Sequence, residues 1–330
     1  MSVVAERASS AEDELVLLTN DAMRARRRPG AVIALWLWET AMAVIVAWPA
    51  SALVRSAYGQ HPRGDAPLFN PGGFELTDFL SNAAHGIAPV TGVLLVVVLM
   101  SSVIGLVPLA GMLVSIAFST RLLRAPGPRA VAARALRAFR PLALVLVLAT
   151  VIQAVLWGIA FGLGSLTASG LAERAGEARA QQLGFLVTLL FALLVAAVGV
   201  VQDLARAAIV RFRVRGIQGI RLGLNAFRRT PSTTFWSWAW RALAACLPVV
   251  MGALVADKIG GRGGFALFTL LAIHQLIVAA RIALRASWLA RALRAVDHAH
   301  RVYRAAPARD ASPTSDLPHL CRVSQRASER

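Results

Sequence analysis

Six runs of about twenty apolar residues dominate the chain, at about 31–52, 87–108, 141–164, 183–203, 234–256 and 265–287. Bilayer hydrocarbon is roughly 30 Å thick, and a helix of about 20 apolar residues crosses it. The pattern predicts an all-α, polytopic membrane protein with six transmembrane helices. The second run continues, still apolar, to Phe118, interrupted by Ser101, Ser102, Gly105, Pro108 and Gly111. At 1.5 Å per residue its length of about 32 residues is roughly 48 Å, too long for one straight span. The expectation is a span to Val107, a kink at Pro108 and an interfacial continuation; a re-entrant half-helix stays open.

Between the runs the pattern becomes amphipathic. Ile217, Ile220, Leu224 and Phe227 recur at helical spacing, and Gln218, Arg221, Asn225 and Arg228 follow one position on. That predicts a helix with a basic face lying in the headgroup region. Residues 129–140 read the same way, with Arg134, Arg137 and Arg140 beside Leu136 and Phe139. Each segment ends before a proline, Pro141 or Pro231, that opens the next span. After the sixth run, Ala290 to Ala295 repeats Ala133 to Ala138 letter for letter. Two readings stay open: three copies of one hairpin-plus-basic-helix unit, or inner loops that are independently basic because topology demands it. Arg134, Arg137, Arg140, Arg221, Arg228 and Arg229 are expected to meet anionic lipid headgroups, at about 1 kcal/mol per surface arginine.

The chain divides into an N-terminal helix over 1–30, a membrane domain over 31–304 and a disordered tail over 305–330. The first helix would be capped near Ser10, with Glu12, Asp13 and Glu14 in its first turn. The loop at 53–86 is Pro- and Gly-rich at first, then has a candidate surface helix from Phe74 to Asn82. Its Arg63-Gly64-Asp65 tripeptide is read as a chance match to an adhesion motif.

Composition agrees: 57% of residues are hydrophobic and 16% charged, where soluble domains average about 45–50% and 25%. The formal charge is +18, and only Lys258 of the 35 basic residues is lysine. With the N-terminus inside, inner segments hold 28 of these cations and outer loops hold 6. By the positive-inside rule both termini are then cytoplasmic, with the basic helices on that side. A cleaved leader is the rival for the first run, but an apolar core of 20 residues and an acidic start do not suit a signal. Cys246 and Cys321 are too few for a disulfide framework or a cysteine-based zinc site.

Charges inside a bilayer cost roughly 2.5–3.5 kcal/mol each on insertion scales, so they need partners. Glu39 and Arg241 each lie about 10–13 Å into their spans from the same face, which predicts that they pair. Arg281 and Asp203 lie near that depth, so the four could form one buried network, read first as structural and second as a site for a proton, an ion or a headgroup. Gln153, His274 and Gln275 fall near mid-membrane, where such groups usually bond across helices; a transport pathway is the sharper reading. Gly158 and Gly162 permit close helix approach within the bundle. Trp236, Trp238 and Trp240 at one interface and Trp48 at the other read as aromatic belts.

No phosphate-binding loop, His-Glu-x-x-His or Gly-x-Ser-x-Gly occurs, so no catalytic residue or cofactor is expected. Asp297, His298, His300, His319 and Cys321 fit no usual metal-ligand spacing, so no metal is expected. The basic charge carries no aromatic-interleaved reading surface for nucleic acid.

Several short stretches carry a family likeness. They are Arg28-Pro29-Gly30 opening a tryptophan-bearing span, Gly73-Phe74-Glu75-Leu76, Asp203-Leu204-Ala205-Arg206-Ala207-Ala208, Phe227-Arg228-Arg229-Thr230-Pro231 and His274-Gln275-Leu276. Over most of residues 20–300 the chain resembles a loose group of six-span bacterial membrane proteins of uncharacterised function. Some are similar to the membrane domain that precedes certain glycerophosphodiester phosphodiesterases. The resemblance implies a fold and no activity, because no counterpart of the catalytic domain is present. The leading expectation is a non-enzymatic inner-membrane protein, an accessory or assembly subunit acting through membrane lipids or a membrane-protein partner. The rival is a small transporter or permease subunit.

Overall fold

The computed structural model describes residues 15–19, 22–25, 28–58, 92–93, 95–120, 125–259 and 264–305. The fold is all-α, and six helices are long and apolar enough to cross a membrane. In chain order the elements are β1 (Leu15–Leu17), α1 (Pro29–Tyr58), α2 (Leu106–Ala117) after helical residues 95–104, and β2 (Phe118–Thr120). Then come α3 (Pro128–Ala175), α4 (Glu177–Phe212), α5 (Gly216–Arg229), α6 (Pro231–Ile259) and α7 (Gly264–Ala305).

The spanning halves of these helices show large apolar side chains at the surface, among them Val44, Trp48, Phe161, Phe185, Leu247 and Phe268. Such an apolar exterior has no place in water and suits lipid. The packed core lies at the arginine-rich end, where helices run past what hydrocarbon requires. At 1.5 Å per residue α3 is about 72 Å long and α7 about 63 Å. These extensions, with the C-terminal part of α4, enclose α2.

That placement corrects the expectation for α2. It is no interfacial continuation: Leu106, Leu109, Ala110, Met112, Leu113, Val114, Ile116 and Ala117 are all buried. A segment apolar on every side belongs in an interior, and the extended neighbouring helices supply one. The interruption falls at Gly105, one turn before Pro108, because proline has no N–H to give the Ile104 carbonyl.

The N-terminal segment also differs. Leu15–Leu17, expected within a helix, is a strand, paired antiparallel with Phe118–Thr120 in the register Leu15 to Thr120 and Leu17 to Phe118. Leu18 N–H continues the pairing to the Ala117 carbonyl at 3.1 Å. Residues 1–14, the loop with the Phe74–Asn82 helix and the Arg-Gly-Asp tripeptide, and the tail 306–330 lie outside the described residues.

The segment 129–140 is no separate interfacial helix. It is continuous with the third span, and Pro141 sits inside α3. A mid-helix proline costs about 3 kcal/mol, but buried Ala135 before it and Leu142 and Val145 after it hold both sides against the core. The last basic segment is likewise the end of α7, with Leu289, Leu293 and Val296 buried.

The repeated hexapeptide buries different positions in its two copies. In α3 its first arginine, Arg134, is 5% exposed and its leucine, Leu136, is 60% exposed. In α7 the order inverts: Arg291 is exposed and Leu293 is 0% exposed.

α5 buries Gly216, Gly219, Gly223 and Ala226; Gly219 and Gly223 meet α4, and Gly216 meets Pro141 and Leu144 of α3. A Cβ on Gly223 would come within 2.7 Å of the Ala205 backbone nitrogen, and one on Gly219 within 2.5 Å of Ile209. Only glycine permits this approach. The apolar positions of the predicted amphipathic helix are shifted accordingly, and Ile217 is exposed. Gly158 and Gly162, expected to serve close packing, meet nothing within 4 Å at the Cβ position.

Candidate functional site

α1, α4, α6 and α7 bound a cleft of about 570 Å³. Its lining includes all four members of the expected network: Glu39, Asp203, Arg241 and Arg281. Helical spacing explains the convergence on α7, where Arg281, Arg285 and Trp288 recur at i, i+4 and i+7 and so share one face. All three line the cleft. Apolar walls come from Val249, Val250, Ile282 and Leu284.

The geometry within the cleft corrects the expected pair. Among the described residues no ion pair joins Glu39 to Arg241. Arg241 instead donates from Nε to Ser287 Oγ at 2.8 Å and from Nη1 to the Ser237 Oγ at 2.7 Å and the Ser237 carbonyl. Its guanidinium also lies 4.5 Å from the Trp240 ring centroid. Two serines and an aromatic face thus hold this cation, with no ion pair to it among the described residues. Glu39 lines the cleft together with Arg281 and Arg285. Glu39 and Arg241 share a cleft but no ion pair, because α7 offers Ser287 to Arg241.

Asp203 is engaged elsewhere. Its Oδ1 accepts from Arg206 Nη1 at 3.1 Å and its Oδ2 from Trp288 Nε1 at 3.0 Å. The cleft lining therefore holds three guanidinium groups against two carboxylates, one of which already serves a fourth arginine.

Glu39 and Arg285 also line a second cleft, of about 470 Å³, between α1 and the kinked second span. Arg206, Trp38 and Leu109 face it. Sequence reasoning missed Arg285, Arg206 and Trp288. Their signal was the spacing from residues already singled out: four and seven beyond Arg281, and three beyond Asp203.

The amides of Gln153 and Gln275 bond across helices. Gln153 Nε2 donates to the Val195 carbonyl at 3.4 Å, and Thr40 Oγ1 to Gln275 Oε1 at 3.2 Å. His274 is exposed on the outer face of α7 and lines neither cleft, so it does not join Glu39 in a common site.

Of the six arginines expected at headgroups, Arg137, Arg140, Arg221, Arg228 and Arg229 are exposed. Arg134 is not at that surface. It is buried, donates from Nη2 to the Val210 carbonyl at 3.2 Å and stacks 3.7 Å from the Phe118 ring centroid. Among the tryptophans, Trp236 and Trp240 face outward, while Trp238 lines the cleft. Asp297 pairs with Arg211, and the His300 ring lies 4.4 Å from that of Phe212; His319 and Cys321 lie outside the described residues.

Set against protein-family models, curated proteins and solved structures, the chain matches none of them.

Proposed function

We propose that this chain is a non-enzymatic, multi-pass protein of a bacterial inner membrane that works by holding an anionic lipid in the Glu39–Arg241–Arg281–Arg285 cleft. The observation that carries the reading is the excess of guanidinium over carboxylate in an apolar-walled cleft at the arginine-rich end. A phosphate headgroup suits the arginines, which present fixed forks of donors. An acyl chain suits Val249, Val250 and Ile282. The split of basic residues between loops supports cytoplasmic termini, which puts the cleft at the leaflet rich in anionic lipid. Exposed Arg137, Arg140, Arg221, Arg228 and Arg229 add a general attraction to that surface. An accessory or assembly role, with a membrane-protein partner, suits a cleft whose charged lining binds and positions.

Native mass spectrometry in mild detergent tests this. Phosphatidylglycerol or cardiolipin is expected to be retained at least tenfold better than phosphatidylethanolamine. That preference is expected to vanish in the Arg281→Gln, Arg285→Gln double variant. Equal retention of the zwitterionic lipid would sink the reading, and a stoichiometric protein in the same spectrum would identify the partner.

The second reading is a small transporter, favoured by Glu39 and Arg285 lining both clefts. Solute flux in proteoliposomes that stops in Glu39→Gln while lipid retention persists would select it.

A further inference from the structure

We infer that a separate pocket, between the start of α3 and the end of α4, binds a phosphate-bearing anion through Arg134, Arg137 and Arg213. The pocket holds about 190 Å³, more than the engineered cavity of about 150 Å³ that takes benzene. Its described lining carries these three arginines and no acidic residue, with Pro141, Ile209 and Val210 as apolar wall. It shares no lining residue with either cleft.

The arginines reach it by three different routes. Arg134 is buried and fixed, its Nη2 on the Val210 carbonyl and its plane over Phe118. Arg137 follows at i+3, on the same face of α3. Arg213 ends α4 with φ 55° and ψ 34°, and its N–H reaches the Ile209 carbonyl at 3.0 Å. It is the only non-glycine residue with positive φ among those described.

That left-handed position after a helix is ordinarily glycine's, because a Cβ is unfavourable there. A strained backbone retained at a charged residue points to use of its side chain. Helix capping alone does not explain the set. The carbonyl end of α4 repels an anion, but one guanidinium on Val210 answers it, and glycine at 213 would close the turn better. Three cations around one cavity exceed what a cap needs. They match instead the several acceptor oxygens of a phosphate monoester.

Two sources offer that group: a phosphatidic acid headgroup and a soluble phosphate ester. Hydrogen exchange of the full chain in phosphatidylcholine nanodiscs separates them. Segments 134–141 and 209–215 are expected to exchange more slowly with glycerol 3-phosphate added, which marks a soluble ligand, or only with phosphatidic acid in the disc, which marks a lipid. The protection is expected to survive Arg281→Gln with Arg285→Gln, so failure of the cleft reading leaves it standing. Arg213→Gly is expected to weaken the effect at least tenfold while melting at the same or a higher temperature, and Arg137→Gln to weaken it without unfolding. Absence of protection by either ligand, or undiminished protection in Arg213→Gly, would overturn the assignment.

Discussion

Arg211 grips a single carboxylate oxygen of Asp297 with two nitrogens, Nε at 3.2 Å and Nη2 at 3.1 Å. The same guanidinium donates to the Leu18 carbonyl at 2.8 Å and the Ala117 carbonyl at 3.1 Å. One buried cation thereby ties α4 to α7, to the end of α2 and to the chain beside β1. Removing one partner of a buried pair leaves an uncompensated charge and costs about 3–5 kcal/mol. Asp297→Ala is expected to lose about that much in equilibrium unfolding. Arg301 also meets Asp297, at 3.1 Å, but is 61% exposed, so Arg301→Ala should cost under about 1 kcal/mol. Equal losses in the two variants would contradict the assignment of Arg211 as the junction.

Asp203 is a second such junction, satisfied by Arg206 and Trp288. Trp288→Phe keeps most of the ring's volume and removes one donor. It is expected to cost about 1–3 kcal/mol, the penalty for an unsatisfied buried acceptor. Asp203→Ala strands the buried Arg206 and should cost more, about 3–5 kcal/mol. Thermal unfolding of the two variants should rank them in that order.

Glycine positions divide by what a Cβ would meet. Gly223→Ala forces a methyl group into the Ala205 backbone, and overpacking of this kind costs about 1–3 kcal/mol. Gly158→Ala and Gly162→Ala have open space, and alanine's better helix propensity, worth up to about 1 kcal/mol, should leave stability equal or improved. Destabilisation at Gly158 that depends on protein concentration would reveal a second copy of the chain packed there.

Glu39 and Arg241 should behave independently. Residues without a shared contact add within about 0.5 kcal/mol. A double-mutant cycle on Glu39→Gln and Arg241→Gln is expected to return a coupling no larger than that. Exchanging the two charges should rescue nothing, since the Arg241 donors rest on Ser237 and Ser287. Recovery of expression in the swapped protein would restore the pair.

Much of the site was legible before the fold. Glu39, Asp203, Arg241 and Arg281 stood out because charge in an apolar run is expensive, and cost alone brings such groups to one polar place. Their partners were not legible. Ser237 lies one turn from Arg241, but Ser287 is 46 residues from Arg241 and Trp288 is 85 from Asp203, and no local pattern records those two contacts. The stripe of Gly216, Gly219, Gly223 and Ala226 was visible as spacing but was outweighed by the louder Ile217, Ile220, Leu224 and Phe227 pattern. That apolar pattern signals amphipathicity, whereas the small residues signal where backbones meet.

The six apolar runs, their lengths and the one-sided distribution of arginine were decided by the sequence itself. Transfer free energy adds residue by residue along a helix and needs no knowledge of neighbours. Which face of each extended helix is buried was decided by tertiary structure alone. Ala-Arg-Ala-Leu-Arg-Ala buries its first arginine in α3 and its leucine in α7, although the six letters are the same. A burial pattern belongs to the surface a helix is pressed against, and that surface is built by other segments, as where Arg134 meets Val210, 76 positions on.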